Sequence, residues 1–376
     1  MISLDGFRAD YLDRSLTPRL SRVVREGVRA EWMTPTYPSL TFPNHYTVVT
    51  GLYPDHHGIV HNTMRDAKLG VFSLGNREAV GNGAWWGGEP IWVRAERAGL
   101  PTATYFWPGS EAAIQGVRPT RWKVYDDTVT VNARIDAVLE WLSEDISTRP
   151  RLITLYAETL DDVGHSHGPD SIEMRDGLRE VDAAIGRLMD GLAARALLDT
   201  VDVVVTSDHG MATVLPGNTV AIEEMVDARD AAVVTTGQSL GFTPQPGREQ
   251  QAYARLIGRH DRYDCWRKED LVPRWHYGSN PRVPPIVCQM HEGWDAASRA
   301  SLAKRPADVT RGSHGFDPAL TSMRAIFIAR GPSFRRGLVV PAINSVDVYP
   351  LLATLLGLEP GTHDGNPQAL ASTLAR

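Results

Sequence analysis

The stretch Val201-Asp-Val-Val-Val-Thr-Ser-Asp-His-Gly210 carries the reading of the fold. Val201–Thr206 is a short apolar run of the kind that forms a strand, and Asp208 and His209 stand just past its carboxyl end. The arrangement repeats. Ile2–Asp5 is a strand that ends in Asp5, and Leu152–Tyr156 is a strand followed after a few residues by Asp161-Asp-Val-Gly-His165. Further strands are expected at Val28–Met33, Thr102–Phe106 and Met323–Ala329. Between them, Arg19–Glu26, Pro90–Ala98, Asn132–Glu144, Ser171–Ala194 and Val346–Leu356 carry apolar residues at helical spacing. Thr17 followed by Pro18 reads as the N-cap and first turn of the first of these. Strands alternating with helices imply an α/β fold, a mostly parallel sheet with helices on both faces. In such open sheets ligands bind beyond the carboxyl ends of the strands, so Asp5, Asp161, His165, Asp208 and His209 are expected to gather on one edge.

The 376 residues suffice for one large α/β domain with insertions, or for two domains. Residues 236–305 differ in texture: they hold both cysteines, Trp266, Trp275 and Trp294, and many Pro, Gly and Arg. They are expected to form an inserted subdomain on a catalytic domain made of residues 1–235 and 306–376. Cys265 and Cys288 fit either one disulfide or two buried thiols. A net charge of −6 excludes a general pull toward polyanions, and with it a nucleic-acid-coating role. Affinity for phosphate must therefore come from local cations, most simply bound metal. No apolar run approaches the ~20 residues of a membrane span. Met1 leads directly into Ile-Ser-Leu-Asp, so the first strand reads as clipped after a removed leader, which implies a periplasmic or secreted protein. No feature of the sequence sets an oligomeric state.

Carboxylate and imidazole are the ligand types that hold Zn²⁺ and similar divalent ions. With His314, in Gly312-Ser-His-Gly315, the Asp/His groups suffice for two metals. Asp161 and His165 have helical i,i+4 spacing, yet Gly164 and Gly168-Pro169 argue for a loop. Each residue alone has a plainer reading, an N-cap for the Asp or a hydrogen-bonded core residue for the His; the joint occurrence at strand ends is what points to metal. Thr41, in Pro38-Ser-Leu-Thr-Phe-Pro-Asn-His45, reads as the N-cap of a helix over Phe42–Thr50 and as a nucleophile. A helix N-terminus suits a phosphate, and a nearby metal can deprotonate a hydroxyl. No Lys or Arg occurs from Glu31 to Gly51, so charge at the reacting phosphate would come from metal. His45 on that helix, His56-His57 in a turn before Gly58, His61, Asp162 and His167 are left outside the ligand sets.

Seven motifs, in order, resemble the nucleotide pyrophosphatase/phosphodiesterase family of the alkaline phosphatase superfamily. They are Ile2-Ser-Leu-Asp-Gly-Phe-Arg-Ala-Asp-Tyr11, Pro38-Ser-Leu-Thr-Phe-Pro-Asn-His-Tyr46, Val49-Thr-Gly-Leu-Tyr-Pro-Asp-His-His-Gly-Ile59, Gly88-Glu-Pro-Ile-Trp92, Asp161-Asp-Val-Gly-His165, Ser207-Asp-His-Gly-Met211 and Gly312-Ser-His-Gly-Phe316. The match resembles the bacterial members most. The resemblance implies an alkaline-phosphatase-like fold and two Zn²⁺ per chain. Asp161, His165 and His314 would hold one; Asp5, Asp208 and His209, with the Thr41 oxygen, would hold the other. It implies hydrolysis of nucleotide phosphodiesters and pyrophosphates to nucleoside 5′-monophosphates through a phosphothreonine at Thr41. Asn62, assisted by the Phe42 N–H, would donate to a phosphoryl oxygen, Phe42 and Tyr125 would sandwich the base, and Leu74 would line the same pocket. One departure is Thr159-Leu160-Asp161 where the family often shows Glu-Pro-Asp. The main rival is a phosphodiesterase of lipid headgroups such as choline or glycerol phosphodiesters. A sulfatase needs a Cys/Ser-x-Pro-x-Arg setting that neither Cys265 nor Cys288 has. Phosphomonoesterase chemistry and a catalytically silent metal-stabilised binder are the remaining alternatives.

Overall fold

In the computed structural model, which describes residues 1–306 and 308–375, Val203, Val204 and Val205 are all buried, but not in one place. Val203 and Val205 join one apolar cluster and Val204 another, as a two-residue side-chain period requires of a strand covered on both faces. The eight strands of this sheet are, in chain order, β1 (Ile2–Leu4), β2 (Val28–Ala30), β3 (Thr102–Tyr105), β4 (Arg121–Trp122), β5 (Leu152–Ala157), β6 (Val203–Thr206), β7 (Phe327–Arg330) and β8 (Leu338–Val340). Their spatial order is β8-β2-β7-β6-β1-β5-β3-β4. β1 pairs parallel to both β5 and β6, while β7 runs antiparallel to β6 and β2. The fold is the alkaline-phosphatase-like α/β type, a mostly parallel sheet with a smaller inserted β subdomain.

Six helices frame the site: α1 (Pro18–Glu26), α2 (Thr41–Thr50), α3 (Val131–Leu142), α4 (Thr159–His167), α5 (Ile172–Ala194) and α6 (Val348–Leu355). α1, α3 and α5 cover the face of Val203 and Val205, and α2 and α6 cover the face of Val204. Three details differ from expectation. Thr17 precedes α1 without capping it; the buried Asp182 of α5 accepts from the N–H groups of Arg19 and Leu20 at 3.1 and 2.8 Å instead. The run expected over Val28–Met33 breaks at Glu31 into β2 and a separate short strand, Met33–Thr34. The run expected over Met323–Ala329 opens at the end of a 3₁₀ turn, Thr321–Met323, bridges to Met33 at Ala325, and joins the eight-stranded sheet only from Phe327.

The second sheet has five strands: Ala231–Thr235, Ser239–Pro244, Ile286–Met290, Tyr263–Arg267 and Gly258–Arg259, in that spatial order. Polar contacts fasten it to the first half of the chain. The Asp55 carboxylate accepts from Gly278 and Ser279 N–H at 3.0 and 2.6 Å. Arg282 donates to Gly58 and Trp85 carbonyls at 2.8 and 2.7 Å, and Tyr37 stacks on Trp275 at 3.9 Å. Among the described residues no helix is long and apolar enough to cross a membrane.

Cys265 and Cys288 face each other across adjacent antiparallel strands and are joined as a disulfide inside the apolar core of this sheet. The bridge spans 23 residues, a loop whose closure stabilises by about 3 kcal/mol in the chain-entropy account. Replacing both cysteines by Ala is expected to lower unfolding stability by about that amount in denaturant titrations. An unchanged midpoint would mean that the two thiols are not linked in the protein.

Candidate active site

Sheet order alone brings most of the acidic and imidazole groups together. β1 lies between β5 and β6, so Asp5 stands between the chain leaving β5 toward Asp161 and the chain leaving β6 toward Asp208 and His209. Gly6 permits the crowding. Its φ is +69°, and a Cβ there would meet the Asp161 Cα at 3.2 Å.

Asp161 and His165 are on a helix, α4, and not on the loop that Gly164 suggested. Gly164 is a packing residue: a Cβ there would meet the Met211 side chain at 2.7 Å. Gly168, at φ +86°, ends the helix. The i,i+4 spacing therefore sets Asp161 and His165 on one face, with 3.4 Å between Asp161 Oδ2 and His165 Nε2. His314, just past the short strand Arg311–Ser313, completes the first group: its Nε2 is 3.0 Å from His165 Nε2 and 3.4 Å from Asp161 Oδ1. Asp5, Asp208 and His209 form the second, with His209 Nε2 2.9 Å from Asp208 Oδ2 and 3.5 Å from Asp5 Oδ1. In each group the ligand atoms lie within 4.8 Å of one another. The groups adjoin, since the His209 and His314 rings stack at 3.6 Å.

The donor set fits divalent cations. Each imidazole has its Nδ1 beside a main-chain carbonyl: His165 at 3.1 Å from Gly312 O, His314 at 3.0 Å from Ser39 O and His209 at 2.9 Å from Gly210 O. Protonated Nδ1 atoms held in this way turn the Nε2 lone pairs inward, the usual preparation of a metal-binding histidine. Asp5 Oδ1, Asp161 Oδ1 and Asp208 Oδ2 are buried with no hydrogen-bond partner. Asp5 Oδ2 accepts from the Tyr156 hydroxyl at 2.7 Å, and Asp208 Oδ1 from the Gly6 N–H at 3.2 Å, so these two carboxylates are each oriented by one oxygen and without a hydrogen-bond donor at the other. Burial, reinforced by the Asp208 and Asp161 charges, pushes the Asp5 carboxyl well above the usual range. Burial opposes protonation of His209, but the adjoining Asp208 carboxylate holds its pKa above the ordinary imidazole value. His314 is pushed down to about 3 by burial and then by His209.

Thr41 opens α2 as its first residue; Leu40 occupies the N-cap position, so the Thr41 hydroxyl is not spent on capping. Its Oγ1 lies 3.4 Å from His209 Nε2. Asn62 Oδ1 accepts the Phe42 N–H at 3.0 Å, which fixes the side chain with its amide NH₂ as the donating end. Phe42 packs on Phe72 and Trp86, each at 5.9 Å, and Leu74 is 40% exposed beyond the strand Gly70–Ser73. Tyr125 is half-buried on a loop, with its ring 5.3 Å from that of Phe106. His45, His56, His57, His61, Asp162 and His167 stand outside both groups. His45 nonetheless spans the site, with Nε2 2.8 Å from the Ser3 hydroxyl and Nδ1 2.8 Å from the Thr41 carbonyl. Tyr156 and Arg134 went unremarked in the sequence, where a buried tyrosine and a helical arginine look ordinary.

Residues 1–317 match the family model described as type I phosphodiesterase / nucleotide pyrophosphatase. The chain is 34% identical to human ectonucleotide pyrophosphatase/phosphodiesterase family member 5 over 368 residues, covering 97% of this chain and 76% of that protein. It is 36% identical to an uncharacterized pyrophosphatase/phosphodiesterase of Schizosaccharomyces pombe over 381 residues, 97% of this chain and 79% of that one. The murine family member 5, solved as an inactive threonine-to-alanine variant in complex with AMP, superposes with a TM-score of 0.93 at 34% identity, over 100% of this chain and 98% of that chain. These relatives are eukaryotic, which corrects the expected kinship with the bacterial branch. With the motifs, the fold and two adjoining metal-ligand groups in agreement, the chain belongs to the type I phosphodiesterase/nucleotide pyrophosphatase family and is a phosphodiester and pyrophosphate hydrolase.

Proposed function

We propose that this enzyme hydrolyses nucleotide phosphodiesters and pyrophosphates to nucleoside 5′-monophosphates, with Thr41 as a transiently phosphorylated nucleophile and zinc as the metal in both ligand groups. The observation that carries the reading is the convergence of inward-turned Nε2 atoms and unpartnered carboxylate oxygens beside an uncommitted threonine hydroxyl at a helix start. Asp161, His165 and His314 would hold one ion; Asp5, Asp208 and His209, with Thr41, the other. When bound, such ions supply the positive charge that lets a hydroxyl and a water ionise near neutral pH. Imidazole nitrogen with carboxylate oxygen is a donor set that zinc favours.

Thr41 gives up its proton to solvent and its oxygen attacks phosphorus in line, breaking the bond to the leaving group. Water then attacks the phosphothreonine, freeing the monophosphate and restoring Thr41. The N-terminus of α2 aims its dipole at the phosphoryl group, and the Asn62 amide donates to a non-bridging oxygen. Two divalent cations against three carboxylates would leave one net positive charge before Thr41 ionises, matched to a diester monoanion rather than a monoester dianion. Phe42 and Tyr125 hold the base between them, with Leu74 at the pocket wall. The buried Cys265–Cys288 disulfide supports a location outside the reducing cytosol.

Elemental analysis is expected to find two zinc ions per chain, and one metal or fewer with full activity would refute the two-ion site. Asp5 and His209 hold protons more tightly in the metal-free protein than free side chains do, so metal entry expels protons and affinity falls as pH falls. Calorimetry in buffers of different ionisation enthalpy reads that release directly.

Thr41→Ser is expected to keep partial activity, and Thr41→Ala to lose several orders of magnitude with both metals bound. Two successive displacements give net retention at phosphorus, so inversion in a chiral-phosphate experiment rules out the intermediate.

Tyr125→Ala is expected to lower kcat/KM for nucleotide diesters about 10- to 100-fold, the loss of one stacked base contact of ~1–3 kcal/mol. Methyl nitrophenyl phosphate, which carries no base, should respond far less. Nitrophenyl phosphocholine turning over faster than a nitrophenyl nucleotide diester would replace this reading with the lipid-headgroup one.

A further inference from the structure

We propose that Arg134 is a positioning residue that registers the Tyr125 base platform to the metal-ligand helix α4, so that base stacking is expressed in kcat. The inference rests on the nucleotide reading above. Arg134 projects from α3 with 2% of its side chain exposed, a setting in which an arginine is rare unless fully paired. Its contacts fall on two sides.

On the platform side, Nε donates to the Val129 carbonyl at 2.9 Å, at the end of the segment that carries Tyr125. The guanidinium lies over the Phe106 ring, 4.8 Å from its centroid, and that ring meets Tyr125 at 5.3 Å and 70°. Phe106 has φ +65°, a left-handed conformation that a bulky residue keeps only when its surroundings impose it. Phe106 is thus held between the guanidinium and the Tyr125 ring.

On the metal side, Nη1 and Nη2 each donate to one oxygen of Glu158, both at 2.5 Å, and Nη1 also reaches the Tyr156 carbonyl at 2.8 Å. Glu158 immediately precedes α4, and its carbonyl accepts the Asp161 N–H at 2.9 Å. The Tyr156 hydroxyl is the group that orients Asp5. One planar, permanently charged fork thus fixes the distance between the platform and both ligand groups. Lysine, a single point donor on a flexible stem, cannot do this. Binding energy from a remote part of a substrate accelerates the reaction only if that part is held rigidly against the reacting centre. A base on a platform free to shift would tighten binding without aiding the displacement.

The test uses the metal-loaded enzyme, with a nitrophenyl nucleotide diester and methyl nitrophenyl phosphate as the base-bearing and base-free substrates. Arg134→Lys and Glu158→Gln break the fork from opposite ends, so a folding failure of one leaves the other. In either variant the kcat ratio of base-bearing to base-free substrate is expected to fall about tenfold, with KM for the base-bearing substrate moving less than about threefold. In a Tyr125→Ala background neither substitution should move the ratio further. A loss shared equally by both substrates, or one carried by KM, overturns the coupling and makes Arg134 merely structural. A wild-type enzyme with no preference for the base-bearing substrate overturns the nucleotide reading as well, and so separates the two failures.

Discussion

His165 Nε2 and His314 Nε2 face each other at 3.0 Å, and neither has a proton to give while its Nδ1–H is held by a main-chain carbonyl. Two lone pairs at that distance repel. Beside them stand three buried carboxylate oxygens without partners. Uncompensated buried charge costs several kcal/mol per ion, so this arrangement favours bound cations, or protons at Asp5 and His209 where no cation is bound. The rest of the molecule meets that demand. Strands β5, β1 and β6 bring their carboxyl ends together, Gly6 and Gly164 remove the side chains that would hold them apart, and Tyr156 and the Gly6 N–H turn the carboxylates the same way.

The role proposed for Thr41 follows from the same crowding. A hydroxyl at the start of a helix beside two metal-ligand groups would need no basic neighbour in sequence. The sequence from Glu31 to Gly51 contains neither Lys nor Arg. Because Leu40 rather than Thr41 holds the N-cap position, the hydroxyl is left uncommitted. His45 braces the backbone from behind, tying the Thr41 carbonyl to Ser3 on β1 and so α2 to the sheet.

Much of this was legible in the sequence because strand-end placement is a one-dimensional property. Asp5, Asp208 and His209 follow apolar runs, and a parallel sheet gathers such positions wherever the strands lie. Local rules failed where a tertiary contact decided the outcome. Gly164 reads as a helix breaker, yet its lack of a side chain is what lets α4 pack on Met211. Thr17 reads as a cap, but the cap comes from Asp182, far along the chain. Arg134 and Tyr156 were invisible because their importance lies in partners that no spacing rule connects to them. β4, only Arg121–Trp122, is too short for any periodicity to show. The disulfide was one of two open readings, decided by the register that sets Cys265 opposite Cys288.

The inserted sheet has a consequence for assembly of the site. Five of the six ligand residues precede it in the chain, and His314 follows it. In the folded chain His314 meets its partners across this intervening segment, which is docked through Asp55, Arg282 and the Tyr37–Trp275 stack. Its Nδ1 then meets the carbonyl of Ser39, whose own hydroxyl donates to the Phe316 carbonyl, so the segment before Thr41 and the segment after the insertion hold each other. Such long-range closure is entropically expensive to form. A cation bound by Asp161, His165 and His314 would join α4 to the segment after the insertion, and whatever affinity it has for the folded chain would add to the stability of that closure. That ligand group thus ties α4 to the residue, His314, whose Nδ1 meets the Ser39 carbonyl two positions before the proposed nucleophile Thr41.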